Sequence, residues 1–251
     1  MTFLNEIYAI WLREIRKSLA NKWEIFISIL WPLFLIFVVG IGLDSFIDSG
    51  QIGVNYTELL GPGVIAILAM SSAMSIGNSI IDDRRGFIKE LLVAPISRIS
   101  IFLGKILGEA TFDFSINLIV AFFFLLFINA LNLVSMLWVL FFMLLIAFGF
   151  YGFGIVLSFL FKRARGYQVI RELIMTFIVF LSGAFFPLKN LPLIVKIFTF
   201  INPLTYGVDG LRNVLIGYSE FSLILNIISL LVFGIIMMIL GSYLFQKSIS
   251  N

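Results

Sequence analysis

Asp82-Asp83-Arg84-Arg85-Gly86-Phe87-Ile88-Lys89-Glu90-Leu91-Leu92-Val93-Ala94-Pro95-Ile96-Ser97-Arg98 is a charged interruption between two long apolar runs, Leu60–Ile81 and Ile106–Ile128. About 20 apolar residues cross about 30 Å of hydrocarbon. Each flanking run therefore reads as a membrane helix, and the charged stretch as what the chain leaves outside. Within it, Phe87 with Leu91 and Ile88 with Leu92 form i, i+4 pairs, while Arg85, Lys89 and Glu90 supply charge. This is the pattern of a short helix with one apolar side. Asp82 and Asp83 sit at its positive N-terminal end, where acids are favoured by about 0.3–1 kcal/mol each. Pro95 disfavours helical geometry at Ala94, and Ser97 can cap the helix leading back into the membrane. On pattern alone the segment is either a docking element for a soluble partner or an interfacial helix resting in lipid headgroups.

Composition agrees with a membrane setting. The 251 residues are 61% hydrophobic and 12% charged, with mean hydropathy +1.12, against about 25% charged in soluble domains. The length leaves room for about six crossings. There is no Cys and no His, which excludes disulfides, thiolate and imidazole metal sites and Cys- or His-based nucleophilic catalysis. No Gly-x-x-x-x-Gly-Lys-Ser/Thr run occurs, so any ATP used must be bound by another polypeptide. The pI near 9.2 does not point to nucleic acid, because the cations are spread over several membrane-flanking segments.

Leu4, Ile7, Tyr8, Trp11, Ile15 and Leu19 recur at three- and four-residue steps, with Glu6, Arg13, Arg16 and Lys17 mostly on other faces. Residues 1–22 are thus expected to form an amphipathic helix in the interface rather than a cleavable signal peptide. Six membrane helices are expected at Trp23–Leu43, Leu60–Ile81, Ile106–Ile128, Leu133–Phe161, Ile170–Phe186 and Leu223–Phe245. Of the 17 Lys and Arg, all but Lys189, Lys196 and Arg212 fall on one side of that arrangement, and the first opposite loop, Asp44 to Glu58, has acids and no cation. Both termini are therefore expected in the cytoplasm. Residues 187–221 are punctuated by Pro187, Pro192, Pro203, Gly207, Gly210 and Gly217 between apolar pieces. Half-helices dipping back into the outer leaflet fit this better than a free loop, since irregular backbone at membrane depth must be covered.

Lys105, Glu109, Asp113 and Asn117 share one face of the third expected helix. Such residues face a partner or a water-filled cavity. Two readings stay open: a polar lining of a transport route or proton relay, and a structural ladder in which Lys105 neutralises Glu109 and Asp113 binds a neighbour. Gly149, Gly152 and Gly154 suit close helix packing, and Phe148, Phe150, Tyr151 and Phe153 are candidates to line an apolar path.

Residues 83–98 followed by Gly104-Lys105 resemble the signature of ABC-2 type transporter permeases, the membrane subunits of type V ABC exporters. Leu60-Gly61-Pro62-Gly63, Ser182-Gly183-Ala184-Phe185-Phe186-Pro187 and Asn202-Pro203-Leu204-Thr205-Tyr206-Gly207-Val208-Asp209-Gly210-Leu211-Arg212 resemble the same family, in the same order. The likeness covers nearly the whole chain and is greatest to the drug-resistance branch typified by the daunorubicin permease. It implies an all-α integral membrane protein of one domain, residues 1–251, with six crossings. It further implies a coupling helix at residues 82–98 and an extracellular re-entrant hairpin at residues 187–221 that includes Pro187, Asn202, Pro203, Tyr206, Asp209 and Arg212. Docking to a separate ABC ATP-binding subunit would use Arg84, Arg85, Gly86, Phe87, Lys89, Glu90, Leu91 and Pro95, with Arg163 and Arg165 in a smaller second contact. ATP and Mg would sit on that partner, two copies per transporter, and the chain itself would need no cofactor and catalyse no chemistry. The implied assembly is a permease homodimer, or a heterodimer with a related permease, in the lipid of the plasma membrane. It would export an amphipathic, drug-like or lipid-linked substrate, as in multidrug efflux, with polysaccharide or glycolipid as the alternative cargo. A different class of reading is a self-contained proton-coupled carrier using Glu109 and Asp113, and a third is a membrane anchor or sensor that recruits an ATPase.

Overall fold

The computed structural model describes residues 3–44, 54–85, 98–188 and 192–250. Every regular element among them is helical. In chain order these are α1 (Phe3–Ala20), α2 (Lys22–Phe34), a π-helical turn (Leu35–Val39), α3 (Gly40–Asp44), α4 (Tyr56–Arg85), α5 (Arg98–Phe127), α6 (Leu133–Ser158), α7 (Ala164–Leu181), α8 (Leu193–Ile201), α9 (Pro203–Ile216) and α10 (Leu223–Ser250). Five stretches are long and apolar enough to cross a bilayer: Ile25–Asp44, Tyr56–Ile81, Leu103–Phe127, Leu133–Ser158 and Leu223–Leu244. They fall on five of the six expected crossings.

The other expected crossing, Ile170–Phe186, ends early. α7 stops at Leu181 because Gly183 takes a left-handed φ of 75°, a conformation that glycine adopts without strain. Arg171 and Glu172, ion-paired at 2.5 Å, leave only Leu173–Leu181 free of charge. The 18 residues of α7 span about 27 Å at 1.5 Å per residue.

α4 is the hub. Of its apolar stretch, 72% is buried inside the chain, against 17% for Ile25–Asp44 and for α10, so those two helices form the periphery. Contacts along α4 sort the elements into two ends. Near its start, Asp44 Oδ2 accepts from the Thr57 hydroxyl at 2.5 Å, and the Tyr56 hydroxyl donates to the Phe185 carbonyl at 3.1 Å. Further along, the Tyr167 hydroxyl donates to the Met74 carbonyl at 2.5 Å, fastening the first turn of α7. The end of α4 at Arg85, the start of α5 at Arg98 and the start of α7 at Ala164 therefore share one end of the bundle.

Lipid is as apolar as leucine, so membrane helices gain little by burying apolar surface against each other and rely on close approach and polar bonds. α6 and α10 show this. A Cβ on Gly152 would lie 2.6 Å from the Met237 backbone, and one on Gly149 would lie 2.5 Å from the Phe233 ring; Gly154 faces Met74 of α4. The expected packing role of the three glycines holds. Of the four aromatic candidates, Phe148 is exposed. Phe150 and Tyr151 are buried in the chain's own packing, and Phe150 and Phe153 both contact Phe233.

α8 and α9 make a short helical hairpin. Asn202 ends α8 and caps α9, its Oδ1 accepting from Leu204 N at 3.0 Å with Pro203 in the first turn, a position where proline's missing N–H is harmless. Gly217, at φ 69°, ends α9. With 9 and 14 residues, neither reaches the roughly 20 needed to cross.

Candidate functional site

Three polar assemblies stand out, one at each end of α4 and one beside it. The first surrounds Arg212 on α9, which is buried. Its Nε donates to the Leu59 carbonyl at 3.1 Å and an Nη to the Ala184 carbonyl at 2.9 Å. One guanidinium thus ties α9 to the first turn of α4 and to the turn after α7. Burial pulls its pKa down to about 10, opposed by nearby Tyr218, Asp209 and Glu220, so it is still a cation at neutral pH. Asp209, one turn earlier and also buried, accepts from Glu220 N at 2.7 Å, Phe221 N at 3.1 Å and Asn226 Nδ2 at 2.9 Å. It fastens the start of α10. Glu220 in turn accepts from Leu188 N at 2.8 Å.

The remaining hairpin residues join the same assembly. Asn202 Nδ2 donates to the Ile178 carbonyl of α7 at 2.6 Å, and the Tyr206 hydroxyl to the Phe200 carbonyl at 2.7 Å. Pro187 leads out of the turn that Arg212 holds. Sequence reasoning placed Asp209 and Arg212 in this region but missed Leu59, Tyr56, Glu220 and Asn226. The one available signal was Asn226, a polar residue near the start of an otherwise apolar run.

The second assembly is a cleft of about 410 Å³ where the end of α1 meets α4 and α5, lined by Lys17, Ser18, Asn21, Ser75, Asn78, Ser79, Lys105, Glu109, Phe112 and Asp113. Lys105 Nζ donates to the Ser79 carbonyl at 3.0 Å, and the Ser79 hydroxyl donates to Glu109 Oε1. Lys105 and Glu109 therefore meet at Ser79 of α4. Asn117 stands apart from the lining, reaching Ser72 Oγ at 3.4 Å. The expected polar face thus splits into a cleft portion and a helix-to-helix contact.

One wall of the cleft is set by how α1 lies on α5. Ser100 Oγ donates to Glu6 Oε2 at 2.7 Å, Gly104 faces Ile7 and Ile10, Gly108 faces Trp11 and Glu14, and Trp11 Nε1 donates to Thr111 Oγ1 at 3.1 Å. The pairing advances in step, so α1 runs parallel to the first half of α5. Glu6 and Glu14 are buried on that face, while Leu4, Tyr8 and Leu19 point away. The face of α1 on α5 is therefore mixed, Glu6 and Glu14 together with Ile7, Ile10 and Trp11.

The third assembly is the candidate docking region. Arg84 and Arg85 are the last residues of α4; Gly86, Phe87, Lys89, Glu90, Leu91 and Pro95 lie outside the described residues, as does Lys189. Arg163 is the N-cap of α7 and Arg165 lies in its first turn; both side chains are exposed. The Tyr167 bond to Met74 brings this segment to the same end of the bundle as Arg85.

A family model described as ABC-2 type transporter matches residues 5–216, and the chain belongs to that family. It is the membrane permease subunit of an ABC-2 type transporter, a multi-pass protein that performs no chemistry of its own; permeases of this family pair with an ATP-binding subunit, which holds the ATP. Among curated proteins it is 29% identical over 215 residues to the ycf38 protein of Cyanophora paradoxa, which is named as a transport permease, covering 78% of this chain and 72% of that one. It is 25% identical over 227 residues to nodulation protein J of Rhizobium leguminosarum bv. trifolii, covering 86% of this chain and 83% of the relative.

Proposed function

We propose that this permease is the membrane half of an exporter driven by a separate ATP-binding subunit, moving an amphipathic, drug-like or lipid-linked substrate out of the cytoplasm. Polysaccharide or glycolipid is the alternative cargo. Two permeases and two ATP-binding subunits make the transporter, which sits in the plasma membrane with both permease termini in the cytoplasm. α7 completes six crossings with help from the turn after Leu181, and α8–α9 form the outer re-entrant hairpin. The segment Arg84–Pro95 seats in the ATPase, and Arg163 and Arg165 make the smaller contact.

The observation that carries this reading is the build of α4. It is one helix of 30 residues, about 45 Å long. It is held at its start through Leu59 by Arg212 and leads at its end directly into the docking segment. A push delivered at Arg85 would be carried along this one helix, past the single ladder bond missing at Pro62, to the hairpin, opening a path between two permeases. Deleting Phe87–Leu92, or replacing Glu90 with Ala, is expected to release the ATPase or uncouple transport while the permease still inserts. Unchanged co-purification and unchanged ATP-driven transport after the deletion would sink the docking assignment.

The polar cleft favours one second reading, a proton-coupled carrier using Glu109 and Asp113. It requires transport by this chain alone in vesicles with a pH gradient and no nucleotide. A flat uptake trace under those conditions rejects it.

A further inference from the structure

The cleft between α1, α4 and α5 holds two oxygens that want donors. Glu109 Oε2 and Asn78 Oδ1 are both buried, and neither has a hydrogen-bond partner among the described residues. A buried acceptor left unmatched costs about as much as a lost hydrogen bond, so the arrangement is that of a site whose donor comes from elsewhere. The cleft has room for that donor, about 410 Å³. Its charged lining is balanced, Lys17 and Lys105 against Glu109 and Asp113. A polyanion or a simple cation would leave one pair facing like charge, whereas a group carrying both signs can place each charge beside its opposite.

Position narrows the class further. The apolar stretch of α5 begins at Leu103, so the lining residues Lys105 to Asp113 occupy its first turns, about 3–15 Å along the helix. That is the depth of a headgroup and the top of its acyl chains. Leu19 and Trp23, on either side of the lining residue Asn21, are exposed, so the cleft is bordered by surface suited to lipid. A membrane lipid can reach it laterally.

We propose that this cleft is a headgroup site for a zwitterionic phospholipid bearing a primary ammonium. The ammonium supplies three N–H donors to Glu109 and Asn78, and the phosphate faces Lys17 and Lys105. A quaternary ammonium has the same charge but no donor, so choline lipids satisfy the charge pattern without answering the two oxygens. The site belongs to the permease itself and needs no nucleotide, so its fate is independent of how the ATPase docks.

The test is native mass spectrometry of the purified chain equilibrated with equal mole fractions of phosphatidylethanolamine, phosphatidylcholine and phosphatidylglycerol. The ethanolamine lipid is expected to be retained over the other two by about tenfold, the change associated with one charge-assisted hydrogen bond. Glu109→Gln is expected to erase its advantage over the choline lipid, and the milder Asn78→Ala to reduce it. Soluble phosphoethanolamine at the same concentration is expected to leave the bound lipid in place. Equal retention of all three lipids, a preference untouched by both substitutions, or displacement by the soluble headgroup would each overturn the assignment.

Discussion

Arg212 donates from Nε to the carbonyl of Leu59, 153 residues earlier in the chain, at 3.1 Å. The partner is backbone, so the bond fixes where α9 sits on α4 without depending on a second side chain. Its other arm takes the Ala184 carbonyl at 2.9 Å. Bonds from charged donors are worth about 1.5–3 kcal/mol each. Arg212→Ala is expected to remove about 3 kcal/mol or more, read as a large drop in thermal midpoint in detergent. Arg212→Lys keeps the charge but not the planar fork, and is expected to recover less than half of that loss.

The fit of α1 on α5 requires the absence of side chains at two positions. A Cβ on Gly104 would come within 2.8 Å of Ile7 O, and one on Gly108 within 2.6 Å of Glu14 Cβ. Gly104→Leu or Gly108→Leu is expected to separate the two helices. The chain has no cysteine, so a Glu6→Cys, Ser100→Cys pair gives a clean readout. A short bismaleimide should link the pair, and adding Gly108→Leu should lower the yield several-fold.

Tyr167 and Gly77 form a matched pair: the Tyr167 hydroxyl bonds to the Met74 carbonyl, and its ring covers Gly77, where a Cβ would lie 2.3 Å away. Tyr167→Phe is expected to cost about 1 kcal/mol, and Gly77→Ala about 1–3 kcal/mol through overpacking. In a double-mutant cycle, Gly77→Ala should be better tolerated beside Tyr167→Ala than alone. Thermal unfolding of the four variants checks this.

Six crossings put both termini on one side, five on opposite sides. On intact cells, an impermeant maleimide is expected to label Ser219→Cys and to spare Arg163→Cys and Asn251→Cys. Labelling of Asn251→Cys from outside would remove α7 from the set of crossings.

How much could be read beforehand follows from what each feature writes into side chains. Apolar runs and the clustering of cations are written locally, and five crossings and the shared end of Arg85, Arg98 and Arg163 came through. Asn202 with Pro203 and Gly217 marked the hairpin because caps and left-handed turns select residue types. The end of α7 was hidden, since Ala184-Phe185-Phe186 continue the hydropathy past Gly183. The Arg212 bonds were hidden for another reason: a carbonyl acceptor leaves no mark on residue identity. For α1 the periodicity separated the right faces, but it does not say which face packs. Here Glu6 and Glu14 turn inward together with Ile10, while Leu4, Tyr8 and Leu19 stay exposed.

The burial of these two carboxylates has a consequence for how the chain is made. Glu6 meets Ser100 across 94 residues, so α1 leaves the ribosome long before its partner surface exists. At about 5–20 residues per second, its two carboxylates wait roughly 5–20 s beside an apolar face already drawn to the membrane. During that interval the helix can bind lipid but cannot reach its final seat. Seating of the first helix therefore waits until the chain is about half made, and a chain stalled before α5 would leave Glu6 without Ser100.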